Sequence, residues 1–433
     1  MKSKKSSVGL LIVCATVLAV FVCGQAVFEK SITEESYLYG DTRTVITVLA
    51  GQSTSDAGVE DMIDEMAAEK FPEIKLEWEC VDWGENFSPQ MRGRLAAGDA
   101  PDIIIGKVQD VCTYAESGNL APLQVQGIES IDEEVLDFVT IDGSVYGLPY
   151  NAWYQGVIYN RGIFEQYHLE VPKTMKELEE VVEVFEANGV TPFAAHFQEN
   201  WKVANMTMQF MINDVFRQQP DWGARFGRGE VSFQNNPEVI HCIQQNQYIL
   251  EHSWADALTI EQYESDRRFA EGEAAMYLAG SWSLQNIGEY DTSVHYGIFP
   301  YPNHNGDAGL IKETNMAFMV SRTSEHQKII NELFGELIQN KKVMREILGF
   351  TQTYPVVSGL DMFYEDGVER DIASYAEEGK IVDAFIGNSQ LRWDFQSQLA
   401  DETEKWLRGE AGLEDVLKSA DENREESSSI ISK

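Results

Sequence analysis

Cysteine is scarce in this sequence, and its spacing supports neither a redox centre nor a bound metal. Five cysteines occur among 433 residues, at positions 14, 23, 80, 112 and 242. These spacings match neither a CxxC pair nor a zinc-binding knuckle, and the seven histidines form no HExxH motif. We therefore expect no metal and no cofactor. Whether two of Cys80, Cys112 and Cys242 form a disulfide stays open, because spacing alone does not decide it.

Basic residues are also few, and their scarcity argues against several classes of partner. The chain has 33 Lys and Arg against 71 Asp and Glu, a formal net charge of -38. A field of this sign repels phosphate backbones and anionic lipid surfaces, so nucleic acid and a bilayer bound through a basic patch are disfavoured. An anionic solute is disfavoured unless a local Lys or Arg cluster receives it. A cationic solute stays conceivable.

Only one long apolar run occurs, and it lies at the N-terminus. Three lysines, at positions 2, 4 and 5, precede the apolar residues 8–22. This run has the length of the hydrophobic core of a signal peptide and is short for a membrane-spanning helix. The sequence therefore predicts export, either to the extracellular face of the cell membrane or to the periplasm.

The end of this export signal has three interpretations. Cys23 follows a Val-Phe-Val run that resembles a bacterial lipobox, although Val22 stands where that motif has Gly, Ala or Ser; lipidation of Cys23 is the interpretation we favour. Ordinary cleavage after Ala26 is the second, because small residues stand at the required positions. An uncleaved anchor reaching Phe28 is the third. The polar residues 27–43 then read as a tether between the membrane and the first domain.

The length and the hydrophobic pattern predict two or three domains of α/β type. A chain of 433 residues is too long for one core, because single cores stop growing at roughly 250–300 residues. Alternating or continuous apolar residues predict strands at 44–50, 74–81 and 103–105, and helical stripes lie between them at 55–71 and 83–98. This β-α-β-α-β order predicts a right-handed, doubly wound parallel sheet.

Local signals place further elements along the chain. Asp142-Gly143 between apolar flanks predicts a hairpin turn. Thr174 and Glu177 predict a capping box that opens a helix ending at Asn188-Gly189. We also expect a strand at 156–159, helical structure with apolar stripes at 325–348 and 391–407, and a disordered charged tail at 421–433.

Residues 267–287, RRFAEGEAAMYLAGSWSLQNI, carry the strongest indication of a site. The small apolar residues 274–279 predict a buried strand that ends at a Gly-Ser-Trp corner. Ligands of α/β folds meet the carboxyl ends of strands, where Trp282 would offer a wide apolar plate with one N–H donor. From the residues alone, a core-filling Trp282 and a ligand-stacking Trp282 are equally good interpretations.

Five sequence blocks follow one another along the chain: AAGDAPDIII, YAESGNLAPL, DGSVYGLPY, GVIYNRGIFEQYHLEVPKTMKELEEV and FAEGEAAMYLAGSW. In this order and spacing they resemble the bacterial extracellular solute-binding proteins of sugar ABC importers, the family that includes maltose-binding protein. No single block is specific, but five in order behind an export signal are. Residues 406–410 and 413–417 also resemble the C-terminal helix pair of that family.

The resemblance implies a two-lobed, periplasmic-binding-protein-like α/β fold, with a hinge that closes over a solute held in an interlobe cleft. Each lobe would be a doubly wound sheet flanked by helices, and the chain would cross between the lobes three times. We expect the crossings near residues 149–154, 299–302 and 346–354. Each lobe is then discontinuous, with lobe 1 formed by residues 44–150 and 300–346 and lobe 2 by residues 151–299 and 347–420.

The resemblance also implies which aromatic side chains hold a ligand. A pyranose presents a C–H face that an aromatic plate can cover, and a rim of hydroxyls that need polar partners. Trp282 matches the stacking tryptophan of the family, and Trp201 stands where the family carries another aromatic. Trp153 occupies a position at which maltose-binding protein has a ligand-contacting acid, and Tyr154 beside it is assigned to the same site. Trp393 is either a fourth plate or a helix-packing residue.

Polar candidates follow the predicted strands of lobe 1, although each is also explained as a solvated loop side chain. They are Gln52 and Ser53 after the first strand, Trp83 and Glu85 after the second, and Gln109 and Asp110 after the third. Gly106 stands where the family often has a bulky side chain. This departure would leave more room at one subsite.

These observations predict a monomeric binding protein without catalytic residues. It would capture an oligosaccharide and deliver it to the permease subunits of an ABC importer. A binder of a peptide or a cationic small molecule is the alternative. A secreted glycoside hydrolase would need two carboxylates about 5–10 Å apart, and the sequence identifies no such pair.

Overall fold

The computed structural model describes residues 41–51, 58–81, 87–290, 295–360, 367–386 and 391–424. Its strands are β1 (Thr44–Gly51), β2 (Ile74–Val81), β3 (Ile103–Lys107), β4 (Thr140–Ile141), β5 (Ser144–Val145), β6 (Leu148–Pro149), β7 (Asn151–Asn160), β8 (Thr191–Ala194), β9 (Ala274–Gly280), β10 (Tyr296–Phe299), β11 (Leu310–Thr314), β12 (Met316–Val320), β13 (Tyr354–Pro355) and β14 (Ile381–Asp383).

Helices cover the sheets that these strands form. They are α1 (Val59–Lys70), α2 (Phe87–Ala97), α3 (Val108–Glu116), α4 (Glu133–Phe138), α5 (Arg161–Gln166), α6 (Met175–Ala187), α7 (Asn200–Met211), α8 (Trp222–Gly227), α9 (Pro237–Glu251), α10 (Gln262–Ala270), α11 (Ser283–Tyr290), α12 (Gln327–Gln339), α13 (Lys341–Thr351), α14 (Gly367–Glu377), α15 (Trp393–Leu407) and α16 (Leu413–Glu422). A 3-10 turn at Ile128–Ser130 and a π-helical turn at Ile212–Phe216 complete the described helical segments.

The first sheet is built mainly from the N-terminal β-α-β-α-β unit and forms lobe 1. Its strand order is β2-β1-β3-β12-β6. Strand β1 pairs in parallel with β2 and with β3, which confirms the predicted parallel arrangement. Strand β12 returns antiparallel between β3 and β6. Side chains of the sheet pack with α1, α12 and α13 in one apolar core.

The second sheet is organised around β7 and forms lobe 2. Its order is β14-β11-β7-β9-β8, and β10 and β13 also pair with β7. Every residue of β9 is buried, as expected of a strand that is covered on both faces. Helices α6, α7, α9 and α15 pack against one face, and α10, α11 and α14 pack against the other.

Two lobe boundaries differ from those expected. Strand β11 pairs with β7 in the second sheet, so the chain returns to lobe 1 at Asn315 and not near residues 299–302. Ile347, Leu348 and Leu360 are buried in the core of lobe 1, so this lobe extends well beyond residue 346. The first boundary is thus set by the pairing of β11 with β7, and the second by the packing of apolar side chains in the core of lobe 1.

The C-terminal region is helical as expected, with one expectation wrong. The stripe at 325–348 forms two helices, because Asn340 interrupts it and its side chain accepts a hydrogen bond from the backbone of Val343 to begin α13. The tail expected to be disordered from residue 421 is ordered at its start. Asp421 accepts hydrogen bonds from the backbone N–H groups of Phe233, at 2.9 Å, and Gln234, at 3.2 Å.

The local turn and cap signals agree with the structure. Asp142 and Gly143 both have positive φ, 50° and 76°, and join β4 to β5 as a tight hairpin. At the start of α6, the Thr174 hydroxyl accepts from the Glu177 N–H, and the Glu177 carboxylate accepts from the Thr174 N–H. Each end of the capping box therefore satisfies a backbone donor that the helix leaves open.

Replacing Thr174 by alanine should lower the free energy of unfolding of lobe 2 by about 1 kcal/mol, because one N-terminal amide of α6 loses its acceptor. Urea unfolding followed by circular dichroism measures this change. Thr174→Ser keeps the hydroxyl and serves as the control. A Thr174→Ala protein as stable as the serine variant would contradict the role of the cap.

The structure bears on the disulfide that the sequence left open. Among the described residues, Cys112 and Cys242 are not joined by a disulfide. The Cys112 thiol donates to the Phe138 carbonyl oxygen at 3.1 Å, and Cys242 is fully buried in lobe 2.

Of the helices in the part of the chain that the structure covers, none is both long and apolar enough to cross a membrane.

Candidate ligand-binding site

Trp153, Trp201 and Trp282 lie together, although they come from three separate elements. Trp153 is on β7, Trp201 is in the first turn of α7, and Trp282 follows β9. The ring centroids of Trp153 and Trp282 are 5.3 Å apart at an interplanar angle of 58°, and those of Trp201 and Trp282 are 6.4 Å apart at 66°. All three side chains keep some solvent exposure. We call this group the tryptophan cluster.

The Gly-Ser-Trp corner has a specific geometry that requires its glycine. Gly280 pairs with Gln155 at the end of β9, and the next residue, Ser281, exchanges hydrogen bonds with the backbone of Tyr154. A Cβ atom on Gly280 would overlap the indole of Trp282. The tryptophan therefore folds back over the glycine, which places its ring against those of Trp153 and Trp201.

A buried histidine and a glutamate fix the start of α7 beneath Trp201. The ring of His196 is 5.4 Å from that of Trp201, and its Nδ1 atom is 3.1 Å from Oε2 of Glu199. Burial lowers the pKa of His196 to about 4. Although burial by itself raises the pKa of Glu199, the close approach of the His196 ring and the hydrogen bond from the Gln262 N–H lower it to about 2. Glu199 is thus a charged acceptor that holds this turn.

The burial of His196 predicts a loss of stability in mild acid. The unfolded imidazole gains a proton below about pH 6.5, whereas the folded one stays neutral down to about pH 4. The unfolded state therefore binds more protons in this window, and stability falls as the pH decreases, by about 3 kcal/mol at the lower end.

Urea unfolding at pH 7, 5.5 and 4 checks this expectation. The wild-type protein is compared with His196→Gln, which has no group that titrates at this position. The difference between the two curves isolates His196 from other buried groups. Parallel curves across the window would contradict the assignment.

A second pair of buried ionisable groups, Lys202 and Asp266, lies near the strand that leads into the Gly-Ser-Trp corner. Lys202 on α7 is fully buried; its ammonium donates to the Leu278 carbonyl oxygen on β9 and lies 4.9 Å from the ring centroid of Tyr277. Burial lowers its pKa to about 7. Asp266 is also fully buried, burial raises its pKa to about 6, and it accepts from Asn286 at 2.9 Å. These bonds tie α7 to β9 and α10 to α11.

Amide and carboxyl side chains line β7 next to Trp153. Gln209 donates to Asn205 at 2.8 Å, Asn205 donates to Gln155 at 3.0 Å, and Gln155 donates to the carboxylate of Glu313. Burial raises the pKa of Glu313, and the charge of Lys107 opposes that rise. Sequence reasoning missed all of these residues, because they become neighbours only when α7, β7 and β11 pack together.

Lobe 1 reaches the tryptophan cluster through Lys107, at the end of β3. Its ammonium lies 5.5 Å from the ring centroid of Trp153 and donates to Oδ1 of Asn315 at 3.2 Å. The tryptophan cluster, which belongs to lobe 2, therefore lies at the junction of the two lobes. A solute held there would contact both.

The other sequence candidates are more scattered. Tyr154 points to the opposite face of β7 from Trp153 and packs edge-on against Tyr354, with ring centroids 4.9 Å apart. Trp393 begins α15 and packs at the margin of the core of lobe 2. Gln109 and Asp110 occupy the first turn of α3. The candidates Cys23, Gln52, Ser53, Trp83 and Glu85 lie outside the described residues.

The expectation that Gly106 leaves more room at a ligand subsite was wrong. A Cβ atom there would lie 2.8 Å from Cε of Met319, a side chain that is fully buried in lobe 1. The missing side chain therefore makes room for core packing on that face of β3. It does not enlarge a subsite.

Hydrogen bonds, a ring stack and ion pairs join the two lobes directly. Arg392 donates to Thr113 at 3.1 Å and to Glu116 at 2.9 Å, which attaches the start of α15 to α3. Phe138 stacks on Phe385 with ring centroids 4.0 Å apart. Two further ion pairs cross the junction, Arg92–Asp394 at 3.4 Å and Lys312–Asp132 at 2.8 Å. The lobes are therefore in contact.

Two helix-covered sheets joined by repeated crossings, with an aromatic surface where they meet, define a two-lobed solute-binding fold. The chain belongs to the family of bacterial extracellular solute-binding proteins, whose model matches residues 50–343. This match confirms the resemblance seen in the sequence blocks. Members of this family bind a solute outside the cell.

Individual relatives agree with this assignment. An uncharacterised ABC transporter extracellular-binding protein of Pyrococcus horikoshii is 26% identical over 315 residues, which cover 69% of this chain and 70% of that protein. The maltodextrin-binding protein MdxE of Bacillus subtilis is 25% identical over 218 residues, 48% of each chain. A solved chitin oligosaccharide binding protein is 20% identical, with a TM-score of 0.75 over 89% of this chain and 99% of that one, and thus has the same fold.

Proposed function

We propose that this protein captures an oligosaccharide outside the cell and delivers it to the permease of an ABC importer. The observation that carries the proposal is the tryptophan cluster, which lies at the lobe junction beside hydrogen-bonding side chains. Indole rings cover the apolar faces of pyranoses, and amide and carboxyl groups serve the hydroxyls. The names of the relatives, which include a maltodextrin and a chitin oligosaccharide binder, support the same class of ligand.

Individual residues receive roles within this proposal. Trp282 and Trp153 stack on the sugar, and Trp201 supports Trp282 from the start of α7. The buried Nε1 atom of Trp153 has no hydrogen-bond partner among the described residues and is therefore a donor for a ligand hydroxyl. Gln109 and Asp110, in the first turn of α3, line the side of the cleft that lobe 1 provides.

The proposal includes binding without chemistry. Glu199 is held by His196 and by a backbone amide, an arrangement that suits an acceptor which stays charged. A glycosidase acid must instead gain and lose a proton. Lys107 above Trp153 also disfavours a cationic solute, which would have to displace it.

Attachment to the membrane completes the proposal. Export and lipidation of Cys23 would keep the monomeric protein at the outer face of the membrane, where residues 27–43 tether the lobes near the permease. Labelling of cells with a clickable fatty acid, comparing the wild type with Cys23→Ala, would test this attachment. An unlabelled wild-type protein would favour cleavage after Ala26 or an uncleaved anchor.

Intrinsic tryptophan fluorescence and isothermal titration calorimetry test the ligand class. The panel contains raffinose, maltotriose, xylotriose and the N-acetylglucosamine trimer, with spermidine and a tripeptide as non-sugar probes. We expect micromolar binding of at least one sugar, accompanied by a fluorescence change. Binding of a non-sugar probe alone, or no response at millimolar sugar, would overturn the proposal. Release of reducing ends during incubation would instead indicate a hydrolase.

A further inference from the structure

Two opposite charges converge on the indole of Trp153, one from each lobe. Glu313 on β11 lies directly opposite Trp153 on β7 in the antiparallel pairing, so the two side chains share one face of the sheet. Lys107 comes from β3 of the other sheet, and its ammonium lies 5.5 Å from the ring centroid of Trp153. The ring is thus flanked by a carboxyl group and an ammonium group.

We propose that Lys107 and Glu313 form a charge-balanced subsite beside Trp153, which accepts an uncharged sugar ring and rejects the corresponding uronic acid and amino sugar. The inference rests on the proposed function and adds to it the two residues that decide charge selectivity. Neither residue belongs to the set that the sequence suggested.

The amide chain across β7 fixes the role of Glu313. Gln209 donates to Asn205 at the start of this chain, Asn205 and Gln155 each accept through oxygen and donate through nitrogen, and every donor points towards Glu313. The oxygen of Glu313 that faces Gln155 must therefore accept. Among the described residues, the other carboxyl oxygen makes no hydrogen bond within the protein, so it can accept from a sugar hydroxyl.

Lys107 supplies the complementary donor. Its ammonium carries three donors, and one of them is used by Oδ1 of Asn315 at 3.2 Å. A sugar hydroxyl can accept from a second donor while it donates to Glu313. Asn315 is the residue at which the chain crosses between the lobes, so this donor is held where the lobes meet.

A charged sugar has no equivalent position in this subsite. A carboxylate would pair with Lys107 but would also lie near Glu313, and an ammonium would pair with Glu313 but would lie near Lys107. Inside a closed cleft, water screens such a like-charge contact poorly. A third charge would also leave the subsite with one buried charge that has no counterpart, which is costly. An uncharged ring avoids both costs.

The experiment uses the hexose sugar of the panel that binds most tightly, which is raffinose, maltotriose or the N-acetylglucosamine trimer, together with its 6-carboxy and 6-amino-6-deoxy derivatives. The wild-type protein should bind both derivatives at least about tenfold more weakly than the parent sugar. Glu313→Gln should improve the carboxy derivative relative to the parent by about tenfold, and Lys107→Met should improve the amino derivative by a similar factor. Glutamine keeps an acceptor for Gln155, and methionine keeps an apolar stem near Trp153.

Lys328→Met and Glu332→Gln are the controls. These two residues form an exposed pair on α12 at 3.8 Å, and their replacement changes the net charge by the same amount without touching the subsite. The controls should leave the three affinities in their wild-type ratio, which separates a local effect from the overall charge of the chain.

The outcomes separate this inference from the proposed function. Equal wild-type affinity for the parent and its charged derivatives would overturn the inference alone, and so would variants that weaken all three sugars in the same proportion. If no uncharged sugar binds, the proposed function fails and the inference fails with it. A reciprocal shift, with each variant favouring a different derivative, is the expected result.

Discussion

Replacing Trp282 by alanine should weaken sugar binding by on the order of a hundredfold. Trp282 contacts both other rings of the tryptophan cluster, so its removal opens a gap in the middle of the aromatic surface. Central aromatic residues of binding sites cost about 2 kcal/mol or more on truncation. Calorimetry with the sugar that binds the wild type measures the loss, and Trp282→Phe should retain part of the affinity.

Trp406→Ala is the matched control for this substitution. Trp406 packs at the margin of the core of lobe 2, on the last turns of α15, and its loss should lower stability without changing affinity. Trp393→Ala distinguishes the two interpretations of that residue. A fall in affinity would make Trp393 a fourth plate, and a change in stability alone would make it a packing residue. Wild-type affinity in Trp282→Ala would overturn the assignment of the site.

Much of the fold was predictable because its signals are local. The alternation in β1 and β2, the Asp142-Gly143 turn and the Thr174–Glu177 capping box each depend on residues a few positions apart. The sheet to which a strand belongs is not a local property, because it depends on pairing with strands far away in the sequence. The sequence of β11 fits either sheet, and only its pairing with β7 places it in lobe 2. The boundary expected near residue 300 was therefore wrong, although the elements on both sides were recognisable.

The residues of the candidate site also fall into two groups, those with a local sequence signal and those without one. Trp282 could be selected because a glycine and a serine precede it at the end of a buried strand. Glu313 and Lys107 could not, since 206 positions separate them along the chain and each looks like an ordinary charged residue near a strand end. Lys202 gave no signal either, because its burial depends on β9 and α10 packing over α7. Charged residues at strand ends of both lobes would have been the set to examine.

Replacing Gly280 by alanine should displace Trp282 and so reduce both stability and affinity. Glycine at this position does not serve backbone freedom, because its φ lies outside the left-handed region. The constraint is steric, since an added Cβ atom would overlap the indole ring. Overpacking of this kind costs about 1–3 kcal/mol, and a displaced ring no longer meets Trp153 and Trp201. Urea unfolding and calorimetry with the bound sugar measure the two effects.

A control and a double mutant make this test specific. Gly288 on α11 has no atom within 4 Å of an added Cβ, so Gly288→Ala should be neutral or stabilising by up to about 1 kcal/mol. In a Trp282→Ala background the overlap disappears, and Gly280→Ala should then cost little stability. A double-mutant cycle therefore predicts a coupling energy of about the full cost of the single substitution. If Gly280→Ala were equally costly with and without the tryptophan, some constraint other than the folded-back ring would account for the glycine, and Trp282 would lose its structural explanation.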